Sequence, residues 1–162
     1  MLHDSGKRRL IAAALAVTCL IGLAEVAAAV MHPVEKLDSP RGSVVFLRGE
    51  RYEMVAWLAR NAHPGDRLFG DADLNFVLGL ANPAEVQWVE NDAFTRPEQV
   101  SKLLIAFRRC PTRFLIWADV MDRSGPGDNL QPLRVYLKEH YHLAQRFSGG
   151  AEILVENDLS PG

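Results

Sequence analysis

The sequence predicts an α/β domain, a small three-layer fold with a mostly parallel sheet, a C-terminal antiparallel hairpin and one preceding transmembrane helix. Three observations predict this fold. Segments of helical periodicity alternate with short apolar strands between residues 50 and 141, which is typical of a sheet covered by helices on both faces. Two further short runs flank a Ser-Gly-Gly turn and indicate the hairpin. A long apolar run precedes all of these elements and indicates the transmembrane helix.

The N-terminal segment has the composition of a membrane anchor. A basic cluster, Lys7 to Arg9, precedes a mostly apolar run over residues 10–31 that contains one acid, Glu25. A spanning helix needs about 20 mostly apolar residues, so this run is long enough when Glu25 lies near the lipid headgroups. Basic residues ahead of a span favour a cytoplasmic N-terminus. We therefore predict that residues 1–9 are cytoplasmic and that the domain lies on the other side of the membrane.

The same segment also has the features of a cleavable signal peptide. It has a basic start, a short apolar centre and small residues at Ala27 to Ala29, where cleavage would occur. A helix buried in the domain is the third interpretation. The anchor and the signal peptide share one outcome, because both carry the residues after about 33 across the membrane.

The domain elements follow in order after a linker. Residues 32–49 are predicted to be that linker, within which residues 43–47 form a short strand or an interfacial segment. Residues 50–158 form the α/β domain. The predicted helices cover residues 50–62, 74–80, 95–110 and 130–141. The predicted strands cover residues 67–70, 86–89, 114–117, 142–147 and 151–156.

The helix that begins near residue 95 has the clearest start signal. Thr95 and Glu98 are spaced as a capping box, and Pro97 lies in the first turn, where a missing N–H costs little. Pro111 ends this helix. Residues 122–129 contain Ser, Gly and Pro and are predicted to form an exposed loop.

The composition argues against several classes of function. The formal net charge is −2, so there is no large basic surface and nucleic-acid binding is not expected. Cys19 lies in the apolar run and Cys110 beside a proline, which disfavours a disulfide, and no Cys or His spacing indicates a zinc site. There is no phosphate-binding glycine loop and no nucleophile motif. We therefore expect no cofactor, no metal and no catalytic residue in this chain.

Acidic residues at strand ends are the candidate ligand-binding residues. Asp71 and Asp73 follow one predicted strand, and Asp119 and Asp122 follow another, which are positions where open α/β sheets bind ligands. Carboxylates at this spacing can hold a divalent cation and a sugar-nucleotide pyrophosphate. The preferred interpretation of the first two residues is helix capping, and that of the others is a solvated loop. His140 and His142 are interpreted as structural, because no third metal ligand is visible, and the three tryptophans as packing residues.

Several motifs occur in the order that one enzyme family shows. They are Tyr52 with Ala56-Trp57-Leu58-Ala59, His63-Pro64-Gly65-Asp66-Arg67-Leu68-Phe69, Phe76-Val77-Leu78-Gly79-Leu80 with Asn82-Pro83, Pro111-Thr112-Arg113-Phe114-Leu115-Ile116-Trp117, and Leu133-Arg134-Val135-Tyr136-Leu137 with His140-Tyr141. From about residue 50 the chain is thereby similar to the C-terminal domain of multi-pass bacterial glycosyltransferases of the GT-C type. The protein O-mannosyltransferase and lipid A arabinosyltransferase groups are the ones it resembles.

The resemblance implies a parent transferase that moves a sugar from a polyprenyl-phosphate carrier on the outer face of the membrane. It also implies a place in the bacterial inner membrane, with the α/β domain on the periplasmic or extracellular side. The implied partners are the lipid bilayer and the multi-pass portion of such an enzyme. Catalytic acids in this family lie in the first external loop of the multi-pass portion, so the resemblance assigns no catalytic residue here.

Three functional hypotheses follow. The first is a non-catalytic accessory domain related to membrane glycosyltransferases. The second is an anchored or secreted module that binds a glycan or a protein. The third is a small metal-dependent enzyme that uses Asp71, Asp73 and Asp119.

Overall fold

The computed structural model describes residues 14–25, 27, 34–91 and 94–157, and the chain divides between Val34 and Glu35 into two units. In the first unit, residues 14–25 form helix α1 and Ala27 is also helical. Its large apolar side chains are 55% to 66% exposed. No helix in the described part of the chain combines the length and the apolar character needed to cross a membrane. Of the predicted span, residues 10–13, 26 and 28–31 lie outside the described residues.

The second unit contains six strands and four helices within its described residues. The strands are β1 Val34–Ser39 (whose first residue belongs to the other unit), β2 Gly42–Leu47, β3 Leu68–Phe69, β4 Phe114–Ala118, β5 Tyr141–Arg146 and β6 Ala151–Glu156. The helices are α2 Glu50–Asn61, α3 Ala72–Leu78, α4 Pro97–Arg109 and α5 Gln131–His140, with a 3-10 turn at Asp119–Asp122. The predicted α/β class and the antiparallel hairpin are confirmed.

The main sheet is mixed, with the strand order β3-β4-β6-β5. Strand β3 pairs with β4 in parallel, whereas β6 pairs antiparallel with both β4 and β5. The prediction of a mostly parallel sheet is therefore wrong. The physical reason is that the C-terminal hairpin joins the sheet through β6, which lies antiparallel to β4 as well as to β5. This hairpin inserts β6 directly beside β4.

Helices cover both faces of the main sheet, and each face has its own hydrophobic core. Helices α4 and α5 cover one face, where Phe69, Leu115 and Trp117 point. Helices α2 and α3 cover the other face, where Leu68, Phe114 and Ile153 point. The alternation of neighbouring residues in β3 and β4 between the two cores follows from the two-residue period of a strand.

The predicted linker contains a β-hairpin. Strands β1 and β2 form a separate two-stranded sheet, and Leu37 and Phe46 pack from it against the core under α2 and α3. The short strand predicted at residues 43–47 lies within β2. Residues 35–47 thus belong to the folded unit, because the inward-facing side chains of the hairpin bury apolar surface against it.

The strand predicted at residues 86–89 is absent from the structure, which describes this segment fully. The chain is held instead by side-chain bonds: Asn82 donates to the Val86 carbonyl at 3.2 Å and accepts from the Ala84 amide at 3.1 Å. Val89 is buried in the core while Trp88 is 53% exposed. The apolar alternation therefore reflects one-sided packing of an irregular segment without a neighbouring strand.

Two helix starts differ in detail from the sequence prediction. Helix α4 begins at Pro97, and the Gln99 side chain accepts from the Arg96 amide at 2.8 Å, so the predicted Thr95–Glu98 capping box is wrong. Thr95 is buried and accepts from the Glu90 amide at 2.7 Å. Helix α3 is capped by an aspartate as predicted, and it begins at Ala72, two residues earlier than its periodicity indicated.

Candidate functional site

The candidate site lies where the parallel strands β3 and β4 end at the same edge of the sheet. Gly70 allows the end of β3 to approach β4 closely. Its φ is +112°, and a Cβ at this position would lie 2.6 Å from the carbonyl oxygen of Ile116. Asp71 lies one residue beyond the end of β3, after Gly70, and Asp119 directly follows β4, so the sequence prediction placed both residues at the correct edge.

Asp71 is occupied by structural contacts. Its carboxylate accepts a hydrogen bond from the Leu74 amide at 2.9 Å and so caps helix α3. The same oxygen lies 3.3 Å from a guanidinium nitrogen of Arg51, which comes from the first turn of α2. The side chain of Asp71 is only 17% exposed. The capping interpretation of this residue is confirmed.

Arg51 also contacts the second aspartate of this pair. Its Nη2 lies 2.9 Å from Asp73 Oδ2, so a single guanidinium nitrogen serves both carboxylates. The Asp73 side chain is 85% exposed, which places this second contact in solvent. The positive charge that both aspartates contact is thus the guanidinium of Arg51.

Asp119 contacts the turn of the C-terminal hairpin. Its amide donates to the Gly150 carbonyl at 3.0 Å, and a Cβ on Gly150 would lie 3.1 Å from Asp119 Oδ1. Glu50 holds the same turn from the other side, because its Oε1 accepts from the amides of Gly149 at 2.8 Å and Ala151 at 3.1 Å. The first turn of α2 is thus connected to both the β3 end and the final hairpin.

These acids do not assemble into a metal-binding group. No set of three or more His, Cys, Asp and Glu side chains suited to a metal ion occurs in the described ranges of the chain. Asp122 is directed elsewhere, since its Oδ1 accepts from the Trp117 indole at 2.9 Å. Sequence reasoning missed Glu50 and Arg51. The only available signal was an acidic and a basic residue at a helix start, which does not show what they contact.

Away from this edge, a concavity of about 350 Å³ lies against the face of the sheet that α5 covers. Its charged groups are largely paired. Glu152 is buried and accepts from Arg146 Nε at 2.6 Å, and Arg134 is paired with Asp128. Tyr141 donates its hydroxyl to the Thr112 carbonyl at 2.8 Å, and burial raises the pKa of this phenol well above its usual value.

The histidines and tryptophans have mainly structural contacts. The His140 ring packs edge-on against Tyr136 with ring centroids 4.3 Å apart, and His142 Nδ1 lies 2.9 Å from Asn157 Oδ1. Trp57 packs edge-on against Phe114, and Trp117 is buried. The packing interpretation is confirmed for Trp57 and Trp117, whereas Trp88 is 53% exposed.

Comparison of the chain with protein-family models, with curated proteins and with solved structures finds no match.

Proposed function

We propose that this chain is a non-catalytic accessory domain related to membrane glycosyltransferases that use polyprenyl-phosphate sugars. It contributes stability or acceptor contacts to a multi-pass partner. The relation to these enzymes is supported by the ordered motifs between residues 52 and 141. The non-catalytic role is supported by the arrangement of the candidate site.

The observation that carries the non-catalytic role is the position of Arg51 between Asp71 and Asp73. Sugar transfer requires a base that is free to take a proton and a site that holds a charged phosphate. Asp71 instead caps a helix, and both aspartates have a guanidinium as counter-ion. Both carboxylates are thus already engaged by groups of the protein itself, which supports a structural role for them.

We further propose that residues 10–31 anchor the chain in the bacterial inner membrane, with the α/β domain on the periplasmic side. The basic residues Lys7 to Arg9 and the apolar run support this orientation. The exposed apolar side chains of α1 support it as well, because surfaces of this kind are usually covered by lipid or by a partner.

The non-catalytic role is tested with the purified full-length chain in a mild non-ionic detergent. We expect no transfer or hydrolysis of polyprenyl-phosphate sugars in the presence of magnesium or manganese. Turnover that disappears in Asp71→Asn or Asp73→Asn, and persists in the control Glu139→Gln, would show that the chain is an enzyme. Glu139 is a suitable control because it is an exposed carboxylate on α5, remote in sequence from the candidate site.

The accessory role is tested by co-expression with a multi-pass glycosyltransferase of the GT-C type from the same genome. We expect the tagged chain to retain that protein through purification in non-ionic detergent. Complete separation of the two proteins, with unchanged sugar transfer by the multi-pass portion when this chain is deleted, would contradict the accessory role.

A further inference from the structure

The outer side of helix α4 forms a groove with the irregular segment at residues 83–86. Its volume is about 320 Å³, within the range of sites that hold small ligands or short peptide segments. The wall is mainly apolar, and Ile105 at its centre is 47% exposed. The lining residues are Pro83, Ala84, Glu85, Val86, Lys102, Ile105, Ala106, Arg109 and Cys110.

Two cations lie at opposite ends of this apolar wall. Lys102 and Arg109 are seven residues apart on α4 and so lie on the same side of the helix, about 10.5 Å apart along its axis. Within the described ranges, neither side chain forms a hydrogen bond or an ion pair. Glu85 is the one acid in the lining, so the groove has a net positive charge.

Several other cations of the domain have acidic partners. Arg51, Arg134 and Arg146 each contact a carboxylate within 3.3 Å. Lys102 and Arg109 differ from these three residues in two respects. They have no acidic partner within the described ranges, and they flank a concave apolar surface. A surface of that kind is complementary to a segment that carries negative charge around an apolar group.

We propose that this groove binds an acidic peptide segment of the partner protein, in which an apolar side chain lies between two carboxylates. In a peptide with polyproline II geometry, which has three residues per turn, residues three apart lie on the same side about 9 Å from each other, close to the spacing of Lys102 and Arg109. The apolar side chain between them then covers Ile105 and Ala106. The inference rests on the proposed function, since it names the chemistry by which the accessory domain recognises its partner.

The groove favours a peptide over a membrane surface. Its walls on α4 and on residues 83–86 form a concave surface, whereas a lipid headgroup layer is flat. Because both cations are near solvent, each ion pair changes the affinity only several-fold, and salt screens it. We therefore expect binding that is weak and strongly dependent on ionic strength.

The test measures fluorescence anisotropy of a labelled Glu-Leu-Ala-Glu peptide with the full-length chain in non-ionic detergent. We expect Lys102→Glu and Arg109→Glu each to weaken binding about fivefold, in line with exposed ion pairs. The matched control is Lys138→Glu, an exposed lysine on α5, which should leave peptide binding unchanged. The double variant Lys102→Glu with Arg109→Glu should prefer a Lys-Leu-Ala-Lys peptide, and the unchanged chain should not.

Several results would overturn the inference. The first is a loss of peptide binding in Lys138→Glu as large as that in Lys102→Glu. The second is a double variant that melts normally but does not bind the Lys-Leu-Ala-Lys peptide. Binding of vesicles rich in anionic lipid, without binding of either peptide, would assign the groove to a membrane surface. Loss of peptide binding together with retained co-purification of the multi-pass protein would remove this inference and leave the accessory role in place.

Discussion

Arg134 donates two hydrogen bonds to the carboxylate of Asp128, at 2.7 and 3.2 Å, in a pair whose side chains are only 11% and 5% exposed. Arg134 also donates to the carbonyls of Met121 at 2.6 Å and Arg123 at 3.1 Å. Asp128 accepts from the Leu130 amide just before α5 begins. The pair therefore fixes the connection from β4 to α5.

Replacement of Asp128 should destabilise the domain. In Asp128→Ala, the guanidinium of Arg134 loses its charged partner while it remains mostly enclosed. A hydrogen bond to a charged group contributes about 1.5–3 kcal/mol, so we expect the free energy of unfolding to fall by about 2 kcal/mol. Urea denaturation followed by circular dichroism measures this change. An unchanged midpoint would show that the connection is held without the pair.

The same pair should make stability depend on pH in the acid range. Its hydrogen bonds with Arg134 hold the pKa of Asp128 below the ordinary 3.8. The folded-state pKa is lowered, so the contribution is fully present above the unfolded value and is lost as pH falls through the folded one. We expect Asp128→Asn to be less sensitive to pH than the unchanged chain as pH falls below the ordinary aspartate value of 3.8. Parallel stability curves for the two proteins below that value would contradict this assignment.

Substitution of Gly70 should disturb the junction of β3 and β4. A Cβ there would lie 2.6 Å from the Ile116 carbonyl oxygen, and the φ of +112° is strained for any side chain. Gly65 is the matched control, because its φ is +95° and nothing lies within 4 Å of its added Cβ. We expect Gly65→Ala to cost about 1 kcal/mol and Gly70→Ala at least about 2 kcal/mol. Equal thermal midpoints for the two variants would mean that the backbone at Ile116 moves away from the added Cβ without loss of stability.

The two aspartates that share Arg51 should differ in their effect on stability. Asp71→Ala removes the α3 cap and should lower the free energy of unfolding by about 1 kcal/mol. Asp73→Ala removes an exposed ion pair and should change it by less than about 0.5 kcal/mol. Denaturant titration of both variants tests the order. A larger loss for Asp73→Ala would show that the solvent-exposed contact is the stronger one.

The hairpin of β1 and β2 should contribute to the stability of the domain. Phe46 packs against the core beneath α2, while its neighbour Val45 is 61% exposed. Because Phe46 is only partly buried, we expect Phe46→Ala to cost about 1–2 kcal/mol, and Val45→Ala to cost close to zero. Differential scanning calorimetry separates the two. Identical melting of both variants would mean that residues 34–47 act as the linker that their composition suggested.

Local patterns predicted the elements better than their arrangement. Residues 50–62 and 130–141 were predicted as helices and contain α2 and α5, because apolar periodicity and prolines mark helix bodies and ends. The pairing of β6 with β4 was not predictable in this way. It depends on contacts between residues far apart in the chain, such as Ile116 and Ile153, which are 37 positions apart. Sequence spacing contains no information on such a pairing.

In the candidate site too, local features could be predicted from the sequence and long-range contacts could not. That an aspartate would cap α3 was readable from its position before a helix, and Asp71 does so. The role of Arg51 was not readable, because it lies 20 residues before Asp71 and meets it only through the packing of α2 beside α3. Asp128 was misjudged for a related reason. Its loop has the Ser, Gly and Pro content typical of an exposed loop. The Asp128 side chain is nevertheless buried, because it pairs with Arg134 on the following helix.

The position of β6 has a consequence for the order in which the domain is made. This strand is the last one along the described chain, yet it occupies the middle of the main sheet between β4 and β5. While a ribosome is still synthesising residues 151–156, β4 and β5 have no shared neighbour, and Glu50 lacks the Ala151 amide that it will bind. The sheet therefore cannot be completed before residues 151–156 have left the ribosome.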